Sequence, residues 1–391
     1  MQPLAGITVV SLEHAIAAPF ATRQLADLGA RVIKIERPGI GDFARGYDNR
    51  VRGLASHFVW VNRAKESLTL DVKHPRAKEL LQRLIIDKAD IVVQNLAPGA
   101  SERLGLSFAS LSQIRPDIVV CDISGYGSNG PFRDKKAYDL LIQGESGFLS
   151  VTGTPDTPCK VGPSIADISA GMYAYTNILA ALMHRQQTGE GQHIDISMLE
   201  TSLEWNSYPL YYAFDGAAPP PRTGASHATI YPYGPFPVKD GSVLLGLQNE
   251  REWQAFCTHV LLQPELAQNE AFSDNTHRVA NRIALRNLIE EVFALLPRVD
   301  VLKRLEIAKI ASARVNTMHD VWAHEQLRAR HRWAQIDSPV GRLPALVPPG
   351  LNPHKARMGA VPALGQHTDI ILTELGVDSA EMNTLRTAGA I

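Results

Sequence analysis

The chain has 391 residues, of which 45% are hydrophobic and 20% charged, and its formal net charge is −1. At ~150 residues per domain this length suggests two or three domains, enough to bury a core without staples. The near-neutral balance excludes the basic stripe that binds nucleic acid nonspecifically. The first half then alternates strands and helices. Gly6–Leu12 reads as a buried strand, 19–29 as a helix stopped by Gly29, and Arg31–Glu36 as a second strand. A βαβ unit this short implies a parallel pair. Ser67–Asp71 is a third strand. A helix starts at Pro75 with apolar Ala77, Leu80, Leu81, Leu84 and Ile85 on one face. Ile91–Val93 and Ile118–Cys121 are further strands. Residues 137–149 and 169–187 read as helices, Gly189 stops the second, and His193–Ser197 returns as a strand.

The Pro-rich segments GAAPPPRTG (216–224) and SPVGRLPALVPPG (338–350) break this pattern. Between them Ser242–Gln248 reads as a strand, with helices near 250–261, 280–296 and 299–308. Short helices at Thr368–Leu375 and Ala380–Thr387 close the chain. The expected fold is α/β. A Rossmann-like open parallel sheet forms a discontinuous large domain, 1–215 plus 330–391. A smaller α+β insert spans 225–325, and 216–224 and 326–350 act as linkers.

Cys121, Cys159 and Cys257 lie far apart without a CxxC, which argues against a disulfide framework or a zinc cage. No metal is expected. The N-terminal residues lack the pattern of a signal peptide, and no apolar run approaches the ~20 residues of a membrane span. A cytoplasmic location is expected.

Several motifs in the sequence approach known signatures. Gly125-Tyr126-Gly127-Ser128-Asn129-Gly130 follows a strand as a literal GxGxxG, but Pro131 and Asp134 bring turn chemistry where a helix should open. Gly144-Glu145-Ser146-Gly147 lacks the last glycine of a nucleophile elbow, and His324-Glu325 lacks the second histidine of a zincin. His14, near the end of the first strand, reads as a loop residue or a catalytic base. Asp167 precedes a long apolar helix. It reads as a helix N-cap, or as a reactive carboxylate at a helix dipole with Gly171 allowing close approach of substrate. Arg37, Lys73, Arg103 and Lys136 follow the early strands, where a phosphate-bearing ligand binds in an open parallel sheet. A solvated rim explains them equally well.

Six ordered segments resemble family III CoA-transferases, the formyl-CoA and carnitine CoA-transferase group. They are residues 4–42, 62–81, 92–106, 124–147, 166–200 and 364–376, including NRAKESLTLDVKHPRAKELL, VVQNLAPGASERLGL and ADISAGMYAYTNILAALM. The resemblance implies that Asp167 is the nucleophile, forming a mixed anhydride and then an aspartyl-CoA thioester. It implies CoA contacts at Ala15, Ile16, Ala17, Arg37, Leu70, Lys73, Asn95, Leu96, Arg103, Lys136 and Tyr138. Leu70 and Leu96 would flank the adenine, and the cations would hold phosphates. Coenzyme A thioesters would be substrates, with no permanently bound cofactor and an interlocked homodimer as the assembly. The family's glycine-rich loop falls at 245–250, where only Gly246 and Gln248 fit the run of glycines.

The resemblance points to succinyl-CoA as donor and a short dicarboxylate as acceptor, with itaconate leading, then mesaconate, citramalate and malate. An intramolecular shift on mesaconyl-CoA is a close variant, and oxalate is a further acid. Arg45, Arg50, Arg52 and His57, with Arg222 and His227, are cations suited to a second carboxylate, or plain surface charge. An α-methylacyl-CoA racemase is the alternative, but its histidine falls at Tyr138, and a phenol, whose ordinary pKa is about 10, is a poor base at neutral pH. An acyl-CoA-binding protein without chemistry is the non-enzymatic reading.

Overall fold

The computed structural model describes residues 2–352, 356 and 358–391. The chain divides into two compact units. The first comprises Met1–Gly147, Val161–Ser207 and Glu325–Ile391, and the second Phe148–Lys160 and Tyr208–His324.

The first unit is built on six strands. They are β1 (Thr8–Leu12), β2 (Arg31–Glu36), β3 (Lys65–Thr69), β4 (Ile91–Gln94), β5 (Val119–Ser124) and β6 (His193–Ser197). Every neighbouring pair is parallel, in the order β3-β2-β1-β4-β5-β6. This is the order of a doubly wound α/β sheet, whose connections part between β1 and β4. The strands are rich in Val and Ile because both faces are covered. On one face Val10, Leu12, Ile33 and Val92 pack with Leu80, Leu81, Leu84 and Ile85. Those leucines belong to helix α2 (Pro75–Lys88), and Ile371, Leu372 and Leu385 join them from the C-terminal helices. The other face packs Val9, Val32, Ile91 and Val119 under α1 (Ala17–Asp27) and the long helix Ile165–Thr188.

Three elements differ from the sequence reading. The helix expected over 137–149 is two, Asp139–Glu145 (α3) and Phe148–Val151, broken at Gly147 with φ 81°. The long helix (α4, Ile165–Thr188) starts four residues earlier than expected and so takes in Asp167. The expected linker 326–350 contains an antiparallel hairpin, Trp333–Ile336 with Leu343–Leu346. Pro339 in its turn and Pro344 inside its second strand hid the short strands.

The second unit holds a three-stranded antiparallel sheet, Tyr233–Val238, Gly241–Gly246 and Ala311–Arg314. Phe236, Val243, Leu245, Trp253, Phe256 and Phe293 fill its core. Segment 148–160, expected in the large domain, groups here. Arg222 donates to the carbonyls of Thr154 (2.9 Å) and Pro155 (2.7 Å), and the Gly224 N–H donates to Gly153 O (2.7 Å). Among the described residues, no helix is long and apolar enough to cross a membrane.

Candidate active site

Ligands of an open parallel sheet bind beyond the carboxyl ends of the strands where the connections part. Here that place follows β1 and β4. The chain leaves β1 through Glu13-His14-Ala15-Ile16 into α1, and leaves β4 through Asn95-Leu96. Asn95 ties the two exits together. The His14 N–H donates to Asn95 Oδ1 at 2.9 Å, and Asn95 Nδ2 donates to His14 O at 2.9 Å. Gln94 Oε1 accepts the Leu96 N–H at 2.7 Å.

Ala15 has φ 61°, a left-handed conformation that costs a non-glycine residue about 1–2 kcal/mol. Its N–H is held by Asp42 Oδ1 at 3.1 Å. Asp42 is fixed by a charge network with no solvent exposure at its centre. Lys34 Nζ donates to Asp42 (2.8 Å) and to Glu13 (3.3 Å), and Lys65 Nζ donates to Glu13 (2.6 Å). Burial alone would raise the Glu13 carboxyl, but Lys65 and Lys34 overcome it and hold it at about 2. Buried charges survive only when paired in this way. The His14 ring stacks on Phe43 at 5.2 Å, and burial pulls its pKa down, so the ring is neutral at pH 7.

Helix α1 has no side-chain cap and no acidic residue in its first turn, so its leading N–H groups favour an anion. Helix α4 packs across it. A Cβ on Gly171 would lie 2.7 Å from Ala17 O and 3.0 Å from the Phe20 ring. The glycine therefore admits α1, and the expectation that it admits substrate is corrected. One turn earlier, Asp167 stands in the first turn of α4. It is not the cap, since Ser164 takes that position. The half-buried Asp167 carboxyl is pushed up to about 7, first by burial and then by the charge of Asp139. Tyr47 is pushed up to about 12 by burial and by the charges of Asp42, Asp167 and Tyr138, so it is a neutral phenol beside the carboxylate.

The residues expected to touch CoA fall into three groups. Ala15, Ile16, Ala17, Asn95 and Leu96 line the exits of β1 and β4. Arg37, Lys73, Arg103, Lys136 and Tyr138 are exposed, with Tyr138 at 68%. Leu70 departs from expectation. At 2% exposure it packs in the core, so its side chain offers no face to an adenine.

The cations proposed for a second carboxylate are mostly committed. Arg45 chelates Glu36 (2.8 and 2.7 Å) and lies 3.7 Å over the Phe58 ring. Arg52 donates to Arg342 O at 3.3 Å. His57 stands 3.6 Å from Asp48 and edge-on to Tyr47. Arg50 is exposed, and its backbone N–H is bonded to Asp48. In the second unit Arg222 is spent on the two carbonyls above. His227 Nδ1 accepts the N–H groups of Thr229 (3.2 Å) and Ile230 (3.1 Å). Gly246 sits against the Tyr233 ring, and the Gln248 N–H donates to Glu252 at 2.7 Å. The GxGxxG loop gives its Ser128 N–H and hydroxyl to Asp195 rather than to a helix start. Among the described residues no group of three or more His, Cys, Asp or Glu side chains could hold a metal ion.

The family model for CoA-transferase family III matches residues 4–368. The chain belongs to CoA-transferase family III. It is 33% identical over 386 residues to succinate–glutarate CoA-transferase of Agrobacterium fabrum, covering 95% of this chain and 96% of that one. It is 31% identical over 402 residues to succinyl-CoA:mesaconate CoA-transferase of Haloarcula marismortui, covering 97% and 98%. A crystal structure of a CAIB/BAIF family protein from Brucella suis superposes with a TM-score of 0.83 at 35% identity, covering 96% of this chain and 99% of that one. This family III enzyme is therefore a CoA-transferase. Sequence reasoning missed Asp139, Tyr47 and the Lys34–Glu13–Lys65–Asp42 network. Asp139 carried no signal beyond an acidic residue at a helix start.

Proposed function

We propose that this enzyme moves CoA from succinyl-CoA to a C4–C5 dicarboxylate through Asp167. The supporting observation is a carboxylate of raised proton affinity in the first turn of α4, one turn from the contact with α1. A carboxyl titrating near 7 is a stronger nucleophile than an ordinary one and is still ionised in good part at neutral pH. It attacks the thioester carbonyl of the donor. The mixed anhydride forms and CoA thiolate leaves. The thiolate then attacks the aspartyl carbonyl, giving the aspartyl-CoA thioester and freeing succinate. The acceptor carboxylate reverses these steps. The uncapped N–H groups of α1 are the preorganised donors for the oxyanions. Arg37, Lys73, Arg103 and Lys136 would hold the phosphates of CoA.

Relatives named for glutarate and mesaconate match nearly the full chain, so these two acids lead the acceptor list, ahead of itaconate. Assembly as an interlocked homodimer is part of the same reading. The exposed Tyr208, Tyr211 and Phe214 of the second unit support a partner surface. The test is a screen of purified enzyme with succinyl-CoA against glutarate, mesaconate, itaconate, citramalate, malate, oxalate and carnitine. Transfer to the C4–C5 dicarboxylates is expected. Transfer confined to oxalate or carnitine would overturn the substrate assignment.

A further inference from the structure

Asp139 opens α3, yet its carboxylate serves α4. Its Oδ1 accepts the backbone N–H of Ala166 at 2.8 Å and of Asp167 at 3.3 Å. Its other oxygen accepts Gln143 Nε2 at 2.7 Å, and Gln143 Oε1 accepts the Val161 N–H at 2.9 Å. The N-cap residue of α4, Ser164, makes no side-chain cap bond. The cap is thus supplied from another helix, some 27 residues earlier in the chain. This changes what the helix start does for Asp167. Free N–H groups at a helix N-terminus stabilise a carboxylate in the first turn. Here two of those donors are taken, and a second negative charge stands beside the first.

We propose that Asp139 is the positioning residue for the nucleophile: from another helix it caps the turn that carries Asp167 and sets a second carboxylate beside it. This rests on the reading of Asp167 as nucleophile. The groups facing Asp167 are Asp139 from α3 and Tyr47 from the loop after Arg45. Tyr47 in turn faces Asp42 and Tyr138. Burial raises Asp167 as well, so removing the Asp139 charge should lower its titration part-way, not fully. A more basic carboxylate attacks the thioester faster.

The test is a titration that needs no turnover. Difference infrared spectra between wild type and Asp167→Asn isolate the Asp167 carboxyl, and its midpoint is read against pH. Asp139→Asn keeps an oxygen for the two N–H groups and loses the charge. Its Asp167 midpoint should fall by roughly one pH unit, the size expected for one like charge at this range. The acid limb of kcat/KM should move with it while the KM for acyl-CoA changes less than about twofold. Asp139→Glu should restore the wild-type midpoint. An unchanged midpoint in a folded Asp139→Asn protein overturns the proposal. Should Asp139→Asn fail to fold, Gln143→Leu carries the test. It leaves the charge and loosens the cap, so the midpoint should hold while kcat falls; a midpoint that drops with kcat overturns the proposal. Because the midpoint is read without substrate, a failure of Asp167 as nucleophile would show separately, as turnover by Asp167→Ala.

Discussion

Gly171 rests on the carbonyl oxygen of Ala17, with room for no Cβ between them. This contact fixes α4 to the start of α1 and so sets where Asp167 stands relative to the exit of β1. Gly171→Ala must push the helices apart. A loss of about 1–3 kcal/mol is expected from overpacking, read by denaturant unfolding. The kcat should fall more than tenfold, because a small displacement of the carboxylate proposed to attack is costly. Wild-type kcat in this variant would show that the contact does not place the nucleophile.

Asn95 satisfies both the N–H and the C=O of His14. Asn95→Ala leaves both groups without their partner. Stability should drop by about 1–3 kcal/mol. The KM for acyl-CoA should rise while kcat changes less, since Asn95 shapes the exit loops rather than the reacting carboxylate. Steady-state kinetics with succinyl-CoA checks the split.

Glu13 balances Lys34 and Lys65, and none of the three side chains reaches solvent. Glu13→Ala leaves two buried ammonium groups short of a partner, and a loss of about 3–5 kcal/mol is expected. The pH dependence follows from its lowered pKa. An unfolded glutamate titrates near 4.5 and the folded one near 2. The stability Glu13 gives is present above about 4.5 and is lost as pH falls through 2. Wild type should therefore lose stability in that acid window, and Glu13→Gln should lose less of its own there.

Asp167 carries the opposite sign. Folded Asp167 keeps its proton up to about 7, against 3.8 for an ordinary aspartate. The folded state binds more protons between those values, so stability falls as pH rises through the window. Asp167→Asn should be more stable than wild type at pH 8, by about 1–2 kcal/mol once the group's partial exposure is discounted, and equal to it near pH 4. The same titration gives wild-type kcat/KM an acid limb near pH 7.

Much of the sheet was legible. Runs such as Ile91-Val92-Val93 and Val119-Val120-Cys121 carry the signature of strands covered on both faces, and the leucine spacing after Pro75 marks one helix face. The candidate nucleophile was legible only through the family resemblance, because an aspartate near a helix start is usually a cap. Lys34 and Lys65 were not legible as buried, since alternation along a strand reads a lysine as solvent-facing. Arg45 looked like a free cation because its partner, Glu36, lies across a turn. Leu70 looked available to a base because nothing local shows which face of its loop meets α2 and the C-terminal helices. Asp139 was invisible because its bonds span segments that only the fold brings together.

On the proposed mechanism Asp167 becomes covalently acylated during transfer. The direct measurement is hydroxylamine trapping with succinyl-CoA, followed by mass spectrometry of the peptide that contains Asp167. A hydroxamate on Asp167, formed only when acyl-CoA is present and accompanied by loss of activity, is the predicted result. No hydroxamate at Asp167, together with turnover by Asp167→Ala, would contradict it.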